Sequence, residues 1–467
     1  MKNALICLLL LFSHVSGTAC TIVSGTDRQG QTWAMNNEDF FHTYSTYVNV
    51  LPATDSGKLG YLTLTYGSPD SGVQGGVNEA GVFFDINALP PQTYKLSRGK
   101  KPFPHGSMLV YLLERCKSVP EFLALWDTYY LPDMGDVQIH LADKQGNLAV
   151  VAPDTIVRST RPLTTTNFNV CDAGPGKQGC WRYPLAQQAL ADGGISQSNL
   201  VKIAAATSWR EFTTTVYTNL HNLATGDMWF YLAEEYATPW KTNIHTLLQQ
   251  GRRSMLLTSQ FPGNASVRLA SVLKKHRRAG PVERFLQGGA YSPAQQESLL
   301  RLAFLDAFYV EKDFATAGVV FPLWERVLAV NPKLDVTEVQ FTKAEVLASQ
   351  GNSAEAIRVL RAVGKPSWKT DALLANLLGN EQATAVIELP GHVNARAVAV
   401  EIKGNYNFLR FLQKTPTGWR MSLKTDRKEL KYCFYVDGQR VVDPARPTVA
   451  RQETVKGDLA TFNLWRL

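Results

Sequence analysis

Gly17-Thr18-Ala19-Cys20-Thr21-Ile22-Val23 is the stretch on which the rest of the chain turns. Met1-Lys2-Asn3 is a short, positively charged start, and residues 4–12 form an unbroken apolar run too short to span a bilayer. Residues 13–19 are small and polar, with Gly17 and Ala19 at the minus-three and minus-one positions that suit signal peptidase. Cleavage after Ala19 would expose a cysteine that carries a thiol and a free α-amine on one residue. With a reference pKa of about 7.7–8.0, that amine is partly neutral near neutral pH and can take the thiol proton. The thiolate then attacks a carbonyl. Two plainer alternatives stand beside this one. Cys20 could carry the lipid of a bacterial lipoprotein, although such sites usually have Leu where this chain has Gly17. It could also be an ordinary buried thiol behind a different cut.

The length of 467 residues exceeds one typical core, so two or three domains are expected. A hydrophobic content of 45% with 19% charged residues describes an ordinary globular chain. Beyond the leader no apolar run reaches membrane-spanning length, so the expected protein is exported, periplasmic or extracellular, with no membrane span. The net charge of +8 is modest, and the cluster Lys274-Lys275-His276-Arg277-Arg278 lacks interleaved aromatics, which argues against a nucleic-acid partner. Cys171 and Cys180 sit in a Gly-rich segment where they could close a small disulfide loop, while Cys116 and Cys433 lie in apolar patterns as buried thiols. The chain has no Cys-x-x-Cys and no His-x-x-x-His, so neither a metal nor an organic cofactor is expected.

From Cys20 to Gly251 strands and helices alternate. Residues 20–26 and 31–36 read as a hairpin across Asp27-Arg28-Gln29-Gly30, and 61–66 and 81–86 as further strands. Helices are expected at 108–118 and 119–129, the second with Pro120 in its first turn, and again at 181–190 and 198–205. Strand pairs fall at 137–141 with 148–151 and at 216–220 with 228–232. That order suits sheets covered by helices on their outer faces. Residues 252–379 turn helical, and Pro332 and Pro366, 34 residues apart, resemble the punctuation of tetratricopeptide repeats. A plain helical bundle fits this segment equally. Residues 380–467 return to strands. Lys431-Tyr432-Cys433-Phe434-Tyr435-Val436-Asp437-Gly438 and Trp419 resemble an immunoglobulin-like glycogen-binding β-sandwich. Asn405-Tyr406-Asn407-Phe408 stands where a second stacking tryptophan would be, so a structural module is favoured over a glycan-binding one.

Behind Cys20 the chemistry-bearing residues keep a recognisable order: Asn36-Asn37-Glu38-Asp39, then Gly75-Gly76-Val77-Asn78-Glu79-Ala80-Gly81, then Thr166-Asn167-Phe168, then Arg182. This set resembles the N-terminal-nucleophile cysteine hydrolases of the choloylglycine hydrolase, penicillin V acylase and acyl-CoA:6-aminopenicillanic acid acyltransferase superfamily. The resemblance covers residues 20–251. It implies an α+β fold, a four-layer αββα sandwich, followed here by the helical segment and the β-sandwich.

Position by position, the resemblance implies Cys20 as nucleophile and, through its amine, as general base. Asp39 would orient the nucleophile residue, and Asn167 would donate to the oxyanion. Asn78 would be a second donor or substrate-binding residue, and Arg182 would lend positive charge. Many members have Arg where this chain has Asn36, which implies a different substrate or a weaker thiolate. Singly, each residue has a local role of its own, as strand end, turn or surface charge; jointly they point to an amidase acting on a small-molecule N-acyl substrate. Phe40, Phe41, Phe83 and Phe84 suit an apolar acyl group, or simply a core. The histidines, among them His105, His140, His221 and His245, read as packing or surface residues. An N-terminal-cysteine dipeptidase and a lipid-anchored, non-catalytic glycan- or partner-binding protein are the alternatives.

Overall fold

The structure is a computed structural model that describes residues 20–40, 45–89, 100–130, 137–152, 155–170, 180–209, 214–329, 336–364, 366–379, 385–402, 405–423, 428–453 and 459–466. The leader, Phe41, Cys171 and Pro332 lie outside these residues. The chain divides into two compact units. The first draws its described residues from Met1–Phe40, Val50–Thr63 and Val73–Arg253, and the second from Phe41–Asn49, Leu64–Gly72 and Ser254–Leu467.

In the first unit β1 (Thr21–Thr26) turns into β2 (Thr32–Phe40). Asp27 makes that turn: its Oδ1 accepts the Gln29 and Gln31 amides, each at 2.9 Å, and Oδ2 accepts the Trp33 indole at 2.9 Å. Next come β3 (Val73–Asn78) and β4 (Val82–Ala88), then α1 (Met108–Arg115) and α2 (Val119–Thr128). Ser107 and Ser118 cap the two helices, satisfying backbone N–H groups that the first turn leaves open. β5 (Val137–Asp143), β6 (Leu148–Val151), β7 (Ile156–Ser159) and β8 (Leu163–Thr165) follow. α3 (Arg182–Gly193), α4 (Gln197–Thr207), β9 (Thr214–Asn222), β10 (Asp227–Leu232) and β11 (Glu235–Asn243) complete the set.

One antiparallel sheet has the order β8-β1-β2-β9-β10-β11, and the other contains β7-β6-β5-β4-β3. Val23, Met35, Leu200, Ile203 and Leu220 pack the outer face of the first sheet against α3 and α4. Val82, Phe84, Met108, Leu112, Phe122 and Ile139 pack the outer face of the second against α1 and α2. Burying each such side chain is worth roughly 1.5–3 kcal/mol. The inner faces meet, as the 2.6 Å contact between Ser24 Oγ on β1 and His140 Nε2 on β5 shows. The unit is a four-layer αββα sandwich. Strands in such a sandwich are covered on both faces, and β2, Thr-Trp-Ala-Met-Asn-Asn-Glu-Asp-Phe, is buried along nearly its whole length despite its polar residues. β3, β7, β8 and β11 are not legible from period alone: glycines interrupt β3, proline and charges interrupt β11, and β7 and β8 span only four and three residues.

Burial gives the inner layer a pH signature. His140, held through Nδ1 by Thr165 and through Nε2 by Ser24, has its pKa lowered from 6.5 to about 3, as does His221. The unfolded chain therefore binds protons that the native state refuses, and each histidine's contribution is full above 6.5 and lost as the pH falls toward 3. Each should lower unfolding free energy by about 1.4 kcal/mol per pH unit across that window. His140→Gln is expected to reduce the slope of stability against pH by nearly one proton in urea unfolding. An unchanged slope would show that His140 titrates normally.

The second unit carries helices from Ala265–His276 to Trp368–Leu378, followed by strands from Ala385–Pro390 onward. Ile387, Val400, Trp419, Met421, Leu430 and Phe434 form the core between the strands. Asn376 ties helices to strands, donating to the Phe411 carbonyl at 3.2 Å and accepting its N–H at 2.9 Å. Trp419 is buried, and its indole donates to the His392 carbonyl at 3.0 Å. It presents no open ring face on which a sugar could stack. Among the described residues no helix is long and apolar enough to cross a membrane.

Candidate active site

Cys20 stands immediately before β1 and is 3% exposed. The β1–β2 register sets Thr21 opposite Asn37 and Ile22 opposite Asn36, which brings Cys20 beside Glu38. Alternation along the strands then sorts the neighbours by face. Thr21, Asn37 and Asp39 look toward the helices: Asn37 donates to the Ala204 carbonyl of α4 at 2.8 Å. Cys20, Asn36 and Glu38 look toward the other sheet. Burial, followed by the charges of Glu38, Asp39 and Asp85, pushes the Cys20 thiol well above its usual range, while the Asp39 backbone N–H opposes the shift. The resting sulfur is thus a thiol. In the uncleaved chain its own nitrogen is a peptide nitrogen without basicity.

Arg182, the first residue of α3, is the hub on the helix face. Its Nη1 donates to Asp39 Oδ2 at 3.0 Å and to Thr21 Oγ1 at 3.4 Å, and its Nη2 donates to Asn167 Oδ1 at 2.9 Å. The Trp209 ring lies 5.2 Å from the guanidinium carbon. The ion pair is almost dry, with side-chain exposures of 4% and 0%. Thr215 Oγ1 donates to the other Asp39 oxygen. Burial raises the Asp39 carboxyl; Arg182 and Thr215 pull it back toward the ionised form. With its oxygen held by Arg182, Asn167 aims its amide nitrogen in a set direction, and that nitrogen donates to the Ala88 carbonyl at 2.9 Å. The loop bearing Asn167 is itself fixed by Gln138 on β5, which donates to the carbonyls of Thr166 at 2.7 Å and Phe168 at 3.0 Å.

The structure brings Cys20, Asp39, Asn167 and Arg182 into one cluster, with Asn36 on the inner face beside it. Asn36 Nδ2 donates to Glu38 Oε2 at 2.7 Å. Asn78, expected as a second oxyanion donor or substrate-binding residue, has its side chain engaged elsewhere. Its amide donates to the carbonyls of Leu113 at 3.0 Å and Cys116 at 2.8 Å, and its oxygen accepts Val82 N–H at 2.9 Å. It closes the β3–β4 turn and clamps the end of α1. Asn87 stands beside Cys20, its Nδ2 donating to the Cys20 carbonyl at 3.2 Å. Asn87 lies five residues along β4 from Val82, about 17 Å away in extended chain. The signal for it was present in the sequence: Asp85 and Asn87 are polar at every second position of an apolar strand. Of the phenylalanines, Phe84 packs under α1 and α2, and Phe83 faces His221 with ring centroids 5.3 Å apart. Cys180 carries a free thiol, 3.2 Å from Thr166 Oγ1.

No curated protein matches the chain in sequence. Among solved structures it is similar to a variant of the conjugated bile acid hydrolase from Clostridium perfringens, at 14% identity over 50% of this chain and 96% of that one, with a TM-score of 0.39. It is also similar to penicillin V acylase from Agrobacterium tumefaciens, at 14% identity over 50% and 90% of the two chains, with a TM-score of 0.40. Residues 26–171 match the family model for acyl-coenzyme A:6-aminopenicillanic acid acyl-transferase. That match falls mostly within the first unit and is a likeness to this family over residues 26–171.

Proposed function

We propose that the protein is an exported amidase whose nucleophile, Cys20, is released by cleavage after Ala19 and cuts the amide of a small N-acyl substrate. The observation that supports this most is the Cys20 surround: a dry Arg182–Asp39 pair that also orients Asn167, with Asn87 bonded to the nucleophile residue itself. Such an assembly holds an amide donor still without water. In the proposed reaction the free α-amine takes the thiol proton, and sulfur adds to the amide carbonyl. The oxyanion receives a hydrogen bond from Asn167. The C–N bond then breaks as the α-ammonium returns its proton to the leaving amine, and water hydrolyses the remaining thioester. Asp39 and Arg182 act by positioning. The bonds balance with water as the only co-reactant.

The test is an intact mass of the protein purified from an exporting host, followed by a panel of N-acyl amides scored for amine release. The expected result is a chain beginning at unmodified Cys20 that cleaves at least one panel member. A Cys20 bearing acyl chains would lack both base and nucleophile and would overturn the proposal.

A further inference from the structure

We propose that the polar cluster on the inner face beside Cys20 binds an ammonium group, so that the acyl part of the substrate carries a protonated amine; the inference rests on the amidase proposal. Three strands build the cluster. β2 contributes Asn36 and Glu38, β4 contributes Asp85 and Asn87, and β9 places Asn219 directly opposite Asn36. All five side chains are at most 3% exposed. Among the described residues Asn36 Oδ1, Asp85 Oδ2, Asn87 Oδ1 and Asn219 Oδ1 find no hydrogen-bond donor, whereas the one unmatched donor in this group is Asn219 Nδ2. Such a set is short of hydrogens, and leaving buried polar atoms unmatched is costly. A guest that fits brings several N–H donors and no acceptor, which describes an ammonium.

Charge points the same way. Glu38 and Asp85 are both carboxylic acids, and where two such groups share a dry site one ionises only at the expense of the other. Burial and Glu38 hold the Asp85 carboxyl well above the ordinary carboxylate range against the opposing pull of the Ile86 N–H and the Asn36 side chain, and among the described residues no lysine or arginine acts on it. The Arg182 guanidinium is engaged with Asp39 and Asn167. Gly75, paired with Asp85 across the sheet, leaves the space in which that carboxyl sits, since a Cβ there would collide with it. The Cys20 sulfur faces this same layer, so a group joined to it as a thioester lies beside the cluster.

The experiment compares glycine 4-nitroanilide, which carries a free ammonium, with N-acetylglycine 4-nitroanilide, which does not, on the mature enzyme. A kcat/KM at least about tenfold higher for the cationic substrate is expected, with butylammonium inhibiting and butanol not. In Asp85→Asn the ratio of the two kcat/KM values should fall toward one. Parity or a neutral preference in the unsubstituted enzyme overturns the inference without any variant. An equal loss on both substrates in Asp85→Asn also overturns it, because the carboxylates would then serve the α-ammonium of Cys20 itself. Turnover of the neutral substrate alone leaves the amidase proposal standing without this one. If neither anilide is cleaved, butylammonium must still protect Cys20 from iodoacetamide better than butanol does, or the inference fails.

Discussion

Cys20→Ala is expected to lower amide hydrolysis by roughly 10⁴-fold or more, the scale on which removing a covalent nucleophile acts. The substitution leaves the fold in place. The side chain is small, so its truncation should cost on the order of 1 kcal/mol of stability. The thiol is also held by little beyond the Asp39 backbone N–H. Cys20→Ser is a sharper form of the same test. It keeps the α-amine and the shape, yet asks an amine of ordinary basicity to deprotonate an alcohol in a site where burial and carboxylates already oppose the anion. Hydrolysis should fall by several orders of magnitude there too. Steady-state rates with 4-nitroanilide or other N-acyl substrates, beside thermal unfolding of each variant, provide the check. Retained activity in Cys20→Ala with an unchanged melting temperature would remove Cys20 from the mechanism.

Arg182→Leu is expected to be the most damaging single change to stability in the first unit. It strands the Asp39 carboxylate in a position with no exposure and leaves Asn167 Oδ1 without the donor that orients it. Breaking a buried ion pair from one side typically costs about 3–5 kcal/mol, because the remaining charge keeps its desolvation penalty and loses its partner. The double variant Asp39→Asn with Arg182→Leu should recover part of that loss, so a cycle in urea unfolding should show clear coupling between the two sites. Arg182→Lys separates charge from geometry. A single ammonium cannot reach Asp39 and Asn167 in parallel as the guanidinium fork does, so stability should largely return while kcat stays depressed. If Arg182→Lys restored both, the bridging geometry would carry no weight in the site.

How much of this was legible beforehand follows the range of each interaction. The hairpin behind Cys20, both helix pairs, and the strand pairs around 137–151 and 216–232 all rest on local chemistry: turn residues and periodic apolar positions. They were readable for that reason. β3 was harder, because Gly75-Gly76 resembles a loop when the partner strands that bury it are unseen. Asp39, Asn167 and Arg182 were singled out from their order along the chain, but that order did not reveal that one guanidinium joins the other two.

Asn78 and Asn87 show the limit most clearly. Both are asparagines near the same glycine-rich stretch, and choosing between them needs the direction of β4. The hairpin turns at Asn78 and the strand carries Asn87 to the Cys20 carbonyl, 67 positions away in sequence. By itself the sequence determined where the proposed nucleophile sits, which layers cover it and which residue types stand in attendance, because these depend on neighbours a few positions apart. Only the tertiary structure decided which side chains meet: Arg182 with Asp39 across 143 positions, and Asp85 beside Glu38 between the sheets. The physical reason is that strand alternation assigns each residue a face, while the face acquires its chemistry only when a second sheet is laid against it.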